Sequence, residues 1–379
     1  MPNRIKLIYV ISTVDFSYTM KWLAFHMPRD KYDVTFVFMF DRPPVLLEDL
    51  NKQGIKNHFI KYKGKYSLPK ATWQLFLLFR KVKPDIVHAH LFEASLVTIT
   101  AALAARVPIR VYTRHHASLH HDNFPHAIKY DRFLNTYSHK IIAISENVKS
   151  ILTELDKADP DKVITIHHGF DFEEFKIDHE KVKHLKEQYN LKSAYPVIGV
   201  ISRFTNFKGI QFIIEGFAEL LKEYPNAVLV LANAIGDYKK HILEQLNTLP
   251  ENSYRLITFE QDVFSLYKCF DVFVHTPINP RVEAFGQIYV EAMVLEIPVV
   301  CTLSGIAFEF IHDAENAIVV PFCDGPSIAS GITKLLKDEQ LKHHIIRNAH
   351  KDVAKYFGVK AMIDKLDNLY TGLLKGIGR

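Results

Sequence analysis

Short apolar runs alternate with longer helical patterns along most of this chain. In the first half, Ile5–Ser12, Val34–Phe40, Lys56–Lys61, Asp85–Ala89, Ile109–Thr113 and Lys140–Ile144 read as strands. Helices are expected between them at Thr19–Met27, Val45–Gln53, Ala71–Val82, Ala94–Ala105 and Glu146–Leu155. Gly54 closes the second helix and Pro84 follows the third. A charged stretch from Phe170 to Tyr195 breaks the rhythm and reads as a connection with one short helix, Lys181–Tyr189. A second series follows, with strands at Val197–Ser202, Ala227–Ala232, Arg255–Phe259, Val272–His275, Val299–Thr302 and Ala317–Val320. Its helices fall at Ile210–Glu223, Lys239–Thr248 and Gln287–Leu295. Helical pattern dominates from Ser327, broken at Tyr356-Phe-Gly358, so a last helix is expected over Val359–Leu374. Strands alternating with helices mean doubly wound parallel sheets, here two in succession.

Composition agrees with this picture. A length of 379 residues suits two domains, and 48% apolar with 23% charged content is that of a soluble globular protein. No apolar run reaches the roughly 18 residues of a membrane span. The first ten residues run straight into a strand, unlike a signal peptide. Cys269, Cys301 and Cys323 are few and widely spaced, and read as reduced core thiols of a cytoplasmic protein. The net charge of +5 is uneven: residues 1–171 hold 24 Lys+Arg against 16 Asp+Glu, and 12 of the 20 His. A basic first half suggests an anionic partner or surface, or simply a Lys-rich exterior.

Chemistry concentrates in the second series. Glu283 and Glu291 stand eight positions apart, with Phe285-Gly286 and the start of an apolar helix between them. Ligands of parallel α/β sheets bind where strand ends meet helix starts. A helix start offers backbone N–H groups to phosphate, and carboxylates accept hydrogen bonds from sugar hydroxyls without a metal. Upstream, Arg203 ends an apolar strand, and Lys208 precedes Gly209 and a helix start. That spacing lets two cations converge on a departing diphosphate.

Together these motifs resemble glycosyltransferase family 4, retaining enzymes of the GT-B fold. Glu283 and Glu291 match its E-x7-E motif, Arg203 and Lys208 its upstream cations, and Gly305 and Glu309 its downstream loop. The resemblance implies two Rossmann-like domains facing each other across a cleft. Residues 1–172 would form the acceptor-side domain, 173–194 the connection and 195–357 the nucleotide-sugar domain. Residues 358–379 would form a helix packing back on the first domain. Glu283 would bind donor sugar hydroxyls, the backbone of Phe285, Gly286, Gln287 and Ile288 would hold sugar or phosphate oxygens, and Glu291 would bind the ribose. Arg203 and Lys208 would stabilise the leaving diphosphate. Phe259 and Glu260 would lie by the base, through backbone groups. The substrate would be a nucleoside-diphosphate sugar, with no metal or other cofactor and a glycan or lipid-linked acceptor.

The first domain is less explicit. His115 best matches a family histidine that faces the donor sugar, to hydrogen-bond a hydroxyl or stabilise charge, with His116 one residue away. His90 is a candidate for the acceptor pocket, while His88 and His116 read rather as satisfied loop imidazoles. The first loop, Ser12-Thr-Val-Asp15-Phe-Ser17, lacks the family's glycines, so Ser12 and Asp15 would have to supply its acceptor-side contacts. Glu296 replaces a common helix-ending Gly. The basic, aromatic run from Lys61 to Phe79 is a candidate surface for anionic lipid, placing the protein peripherally at the inner face of the cell membrane. No nucleic-acid reader motif is present. The alternatives are a metal-dependent hydrolase built on His88, His90, His115, His116, His120, His121 and Asp122, a sugar-nucleotide epimerase, or a non-catalytic binding protein.

Overall fold

The computed structural model describes residues 4–378. They form two compact units: one gathers the chain up to Asp171 with the segment from Phe357 onward, and the other spans Phe172–Tyr356. The charged stretch read as a connection lies in the second unit from Phe172 on. Its helix, His179–Gln188, buries Leu185, and Lys181 meets Glu260. Two buried leucines, Leu185 and Leu191, give that stretch a core to join.

The first unit is built on seven parallel strands: β1 (Ile5–Ser12), β2 (Tyr32–Phe40), β3 (Lys56–Lys61), β4 (Ile86–His90), β5 (Ile109–Arg114), β6 (Lys140–Ala143) and β7 (Val163–Thr165). Their order is β3-β2-β1-β4-β5-β6-β7. The central strands are buried nearly end to end, which is why they read as continuous apolar runs rather than alternating ones. The helix Val359–Gly376 completes this unit. Its Tyr370 hydroxyl meets Tyr9 at 2.8 Å and His88 Nδ1 at 2.7 Å, and Asp367 accepts from Lys31 and Tyr32.

Six parallel strands form the second unit: β8 (Val197–Ile201), β9 (Val228–Ala232), β10 (Tyr254–Ile257), β11 (Val272–His275), β12 (Val299–Cys301) and β13 (Ile318–Val319). Their order is β10-β9-β8-β11-β12-β13. The chain therefore changes winding direction between β8 and β11, and a crevice at their carboxyl ends is where such sheets bind ligands.

Local departures have physical causes. The helices Leu119–Asn123, Ile128–Tyr137 and Val263–Tyr267 and strand β7 lie outside the expected pattern. Glu146–Leu155 starts as α-helix and turns to π-helix at Ile151. Cys269 and Cys301 are buried, but Cys323 is exposed on a turn and is not a core thiol. The first loop, which lacks glycines, and the position of Glu296 each place a non-glycine residue on left-handed backbone. Thr13 takes φ +55° and Glu296 φ +60°, so the chain keeps the turns at the cost of strain.

Candidate active site

Strand β8 delivers Arg203 and Lys208, and β11 delivers His275, to the two sides of the winding switch. The three residues Asn206–Lys208 form a single 3-10 turn, and Gly209 follows at φ +72°. A Cβ on Gly209 would lie 1.8 Å from the Thr276 carbonyl oxygen, so only glycine lets this loop press on the end of β11. Lys208 is thereby carried to Glu283. Its Nζ lies 2.5 Å from Glu283 Oε2, and His275 Nε2 lies 3.1 Å from the same oxygen. Gly305, at φ +62°, packs against the other side of Glu283: a Cβ there would stand 2.9 Å from Glu283 Cγ and 2.5 Å from the Phe285 carbonyl.

The electrostatics follow from these contacts. Burial alone would raise the Glu283 carboxyl, but Lys208 and His275 together hold it down at about 2. It is an anion at any working pH. His275 is fully buried and burial lowers its pKa, so its Nε2 donates to Glu283 as a neutral imidazole. The Tyr289 ring meets the His275 ring edge-on at 5.0 Å and keeps it in place.

The helix Gln287–Val294 begins beside this group. Gly286 caps it at φ +91° with no side-chain cap, and a helix start is where backbone N–H groups and the helix dipole favour anionic oxygens. One face of its second turn presents Glu291, whose Oε2 accepts from the Tyr267 hydroxyl at 3.0 Å. Burial pushes the Glu291 carboxyl up to about 7, and the Tyr267 hydrogen bond pulls the other way. Two acids of one motif thus have opposite electrostatics: one is locked ionised, the other is poised to titrate.

Arg203, two residues past the end of β8, is exposed, and no acid among the described residues pairs with it. Phe285 is buried and Gln287 and Ile288 are half-buried. Phe259 is 80% exposed after β10. Glu260 turns its carboxylate to Asp262 N at 3.0 Å and toward Lys181, so its side chain serves the local fold. His275 and Tyr267 were missed in the sequence. A histidine closing an otherwise apolar strand, eight residues before Glu283, was the available signal.

In the first unit, His115 Nε2 lies 3.0 Å from His90 Nδ1, and its ring stacks on His168 at 5.4 Å. Burial lowers His115 to about 4 and holds His90 well below the usual imidazole range, so both are neutral and His115 offers hydrogen bonds rather than positive charge. His88 is spent on Tyr370 and Thr113. Two of the acceptor-side candidates also hold local structure. Ser12 is fully buried and its Oγ accepts from Ala94 N, holding a helix start. Asp15 accepts from Val45 N and pairs with Arg42 at 2.5 Å.

The remaining histidines do not assemble a hydrolytic metal centre. Donor atoms of His116, His120 and Asp131 do lie within 4.8 Å of one another. However, Asp131 is already paired with the buried Arg114 at 2.6 Å and with His120 Nδ1 at 2.6 Å. His121 is bound to Asp156, and Asp122 accepts from Ser118. A guanidinium against the only carboxylate of the trio repels a cation and occupies its lone pairs.

Comparison with known proteins matches this chain to glycosyltransferase families. The profile of glycosyl transferases group 1 matches residues 181–352, and that of Glycosyltransferase Family 4 matches residues 19–174. The capsular polysaccharide biosynthesis glycosyltransferase CapM of Staphylococcus aureus is 29% identical over 323 residues, covering 81% of each chain. The UDP-Gal:alpha-D-GlcNAc-diphosphoundecaprenol alpha-1,3-galactosyltransferase of Escherichia coli is 23% identical over 80% of each chain. Among solved structures, Anabaena Alr3699/HepE in complex with UDP-glucose superposes with a TM-score of 0.84 at 20% identity, covering 97% of this chain and 100% of that one.

Proposed function

Because this chain belongs to glycosyltransferase family 4 and has the GT-B fold, we propose that it moves a sugar from UDP to an acceptor hydroxyl with retention of anomeric configuration. The observation that carries this reading is the Lys208–Glu283–His275 group beside the uncapped helix start at Gly286. A permanently ionised carboxylate accepts hydrogen bonds from the donor's hydroxyls. The helix start, Lys208 and the exposed Arg203 receive the diphosphate. Glu291 accepts from the ribose hydroxyls.

In this mechanism the bond from the anomeric carbon to the diphosphate oxygen breaks, and its electron pair leaves with the diphosphate. Arg203 and Lys208 neutralise the charge as it develops, in the role a metal plays elsewhere. The acceptor hydroxyl bonds to the anomeric carbon from the same face and gives its proton to the departing phosphate. No protein nucleophile is assigned, since Glu283 is held by Lys208 and His275. His115, as a neutral imidazole, is proposed to hydrogen-bond a sugar hydroxyl, with His90 orienting it.

The names of similar proteins support UDP as carrier and polysaccharide or lipid-linked glycan as product class. A thermal-shift series of UDP-, GDP- and ADP-sugars tests the donor, since a ligand at about 100 times its Kd adds about 2.7 kcal/mol to apparent stability. The UDP-sugars alone should shift the melt. Product NMR should show the donor's anomeric configuration, and EDTA should leave turnover intact. An inverted product, or loss of activity restored by a stoichiometric metal, overturns the mechanism.

A further inference from the structure

No helix among the described residues is long and apolar enough to cross a membrane. The first unit nevertheless presents a surface suited to lying on one. We propose that the turn Lys65–Ser67 and the helix Leu68–Val82 dock the protein on an anionic lipid bilayer.

The helix has two faces. Ala71, Leu75 and Phe79 are buried against the first unit's core. On the opposite side, at three- and four-residue spacing, stand Lys70, Trp73, Leu77 and Lys81, with Arg80 alongside. Trp73 is 59% exposed, Leu77 49%, and Tyr66 in the preceding turn 88%. A charged face is the ordinary solvent side of such a helix; Trp and Leu at its centre are not.

The charge on this surface is of one sign. From Lys61 to Lys83 the chain carries seven cations, Lys61, Lys63, Lys65, Lys70, Arg80, Lys81 and Lys83, and no acid. All seven are exposed, and among the described residues none pairs with a carboxylate. Cations at both ends of a Trp–Leu stripe match an interfacial helix, with apolar side chains among the lipid tails and basic ones at the phosphates. An acidic protein would satisfy the cations but not the two apolar side chains between them.

The position of this surface gives it a purpose, which rests on the proposed lipid-linked acceptor. β3 ends at Lys61 and runs parallel to β2, which runs parallel to β1 and so to β4. The start of the docking segment is therefore at the same sheet edge as His90 and His115.

The test reads binding rather than transfer, so its failure leaves the transfer mechanism standing. The full-length protein is sedimented with vesicles of phosphatidylcholine, with and without phosphatidylglycerol. Binding is expected only with phosphatidylglycerol, and salt should release it. The chain has two tryptophans, and Trp22 is only 2% exposed, so vesicles should blue-shift the emission of Trp73. Trp73→Ser/Leu77→Ser should abolish most of the binding. Lys63→Gln/Lys65→Gln/Lys70→Gln should weaken binding roughly a hundredfold, at about fivefold per cation. Circular dichroism and melting of both variants verify their folding. Absent binding at low salt, equal binding to neutral vesicles, an unshifted Trp73, or preference for an oligonucleotide over the vesicles would each overturn the proposal.

Discussion

Each sheet carries a cluster of opposite charges near its carboxyl edge, and the two clusters are built differently. In the first unit Arg114 is 2% exposed, and Asp131 and Asp156 are fully buried. His120 and His121 close the ring of partners. In the second unit Lys208 and Glu283 remain 18% and 13% exposed, beside two left-handed glycines and an open helix start. The sealed cluster joins Ile128–Tyr137 and the end of the π-helix to β5, and its central charges are closed off from solvent. The open cluster can hand its cation to an incoming diphosphate. Exposure of the partners, rather than charge, separates a staple from a site.

The largest expected effect breaks the staple. Arg114→Ala leaves two buried carboxylates without their cation, which should cost about 3–5 kcal/mol of stability. Urea unfolding measures it. A change under about 1 kcal/mol would mean the cluster is not structural.

The mirror experiment is Lys208→Ala. Loss of a charge aimed at the leaving group should reduce kcat by about 10²–10³, with a melting temperature close to wild type. Glu283→Ala should behave alike. Near-normal turnover in both variants would show that the open cluster is not the site, and a collapsed melt in both would make it a second staple.

The contrast also explains what the sequence could reveal. The strands were legible because central parallel strands are apolar throughout, and Glu283, Glu291, Arg203 and Lys208 because their spacing straddles a strand end and a helix start. The helix Ile128–Tyr137 was not, since it buries Asp131 and Asn135 beside Leu134 and so lacks an apolar stripe. Histidines near Arg114 suggested metal ligands because sequence shows residue types but not that a distant aspartate has already claimed them. His275 escaped notice for a related reason. Its role exists only once parallel pairing places β11 beside β8 and the Gly209 loop brings Lys208 across.

A smaller effect sharpens the open cluster. His275→Phe fills the same space but removes the N–H donated to Glu283. Loss of a hydrogen bond to a charged group is worth about 1.5–3 kcal/mol, or roughly ten- to a hundredfold in kcat/KM for the donor. His275→Gln, which restores an N–H, should recover most of it. Equal rates in the two variants would reduce His275 to packing.

The smallest effect distinguishes the motif's two acids. Glu291 titrates at about 7, whereas Glu283 sits at about 2. An ionised carboxylate accepts from ribose hydroxyls with both oxygens and more strongly than a protonated one, so protonation of Glu291 should weaken donor binding as pH falls through 7, while Glu283 adds no pH dependence there. Below about pH 7 donor KM should rise by up to tenfold per unit, and kcat at saturating donor should change little. Glu291→Gln should bind donor weakly at every pH, with this dependence gone. Retention of the same acid limb in Glu291→Gln would assign the titration to another group and remove Glu291 from the ribose.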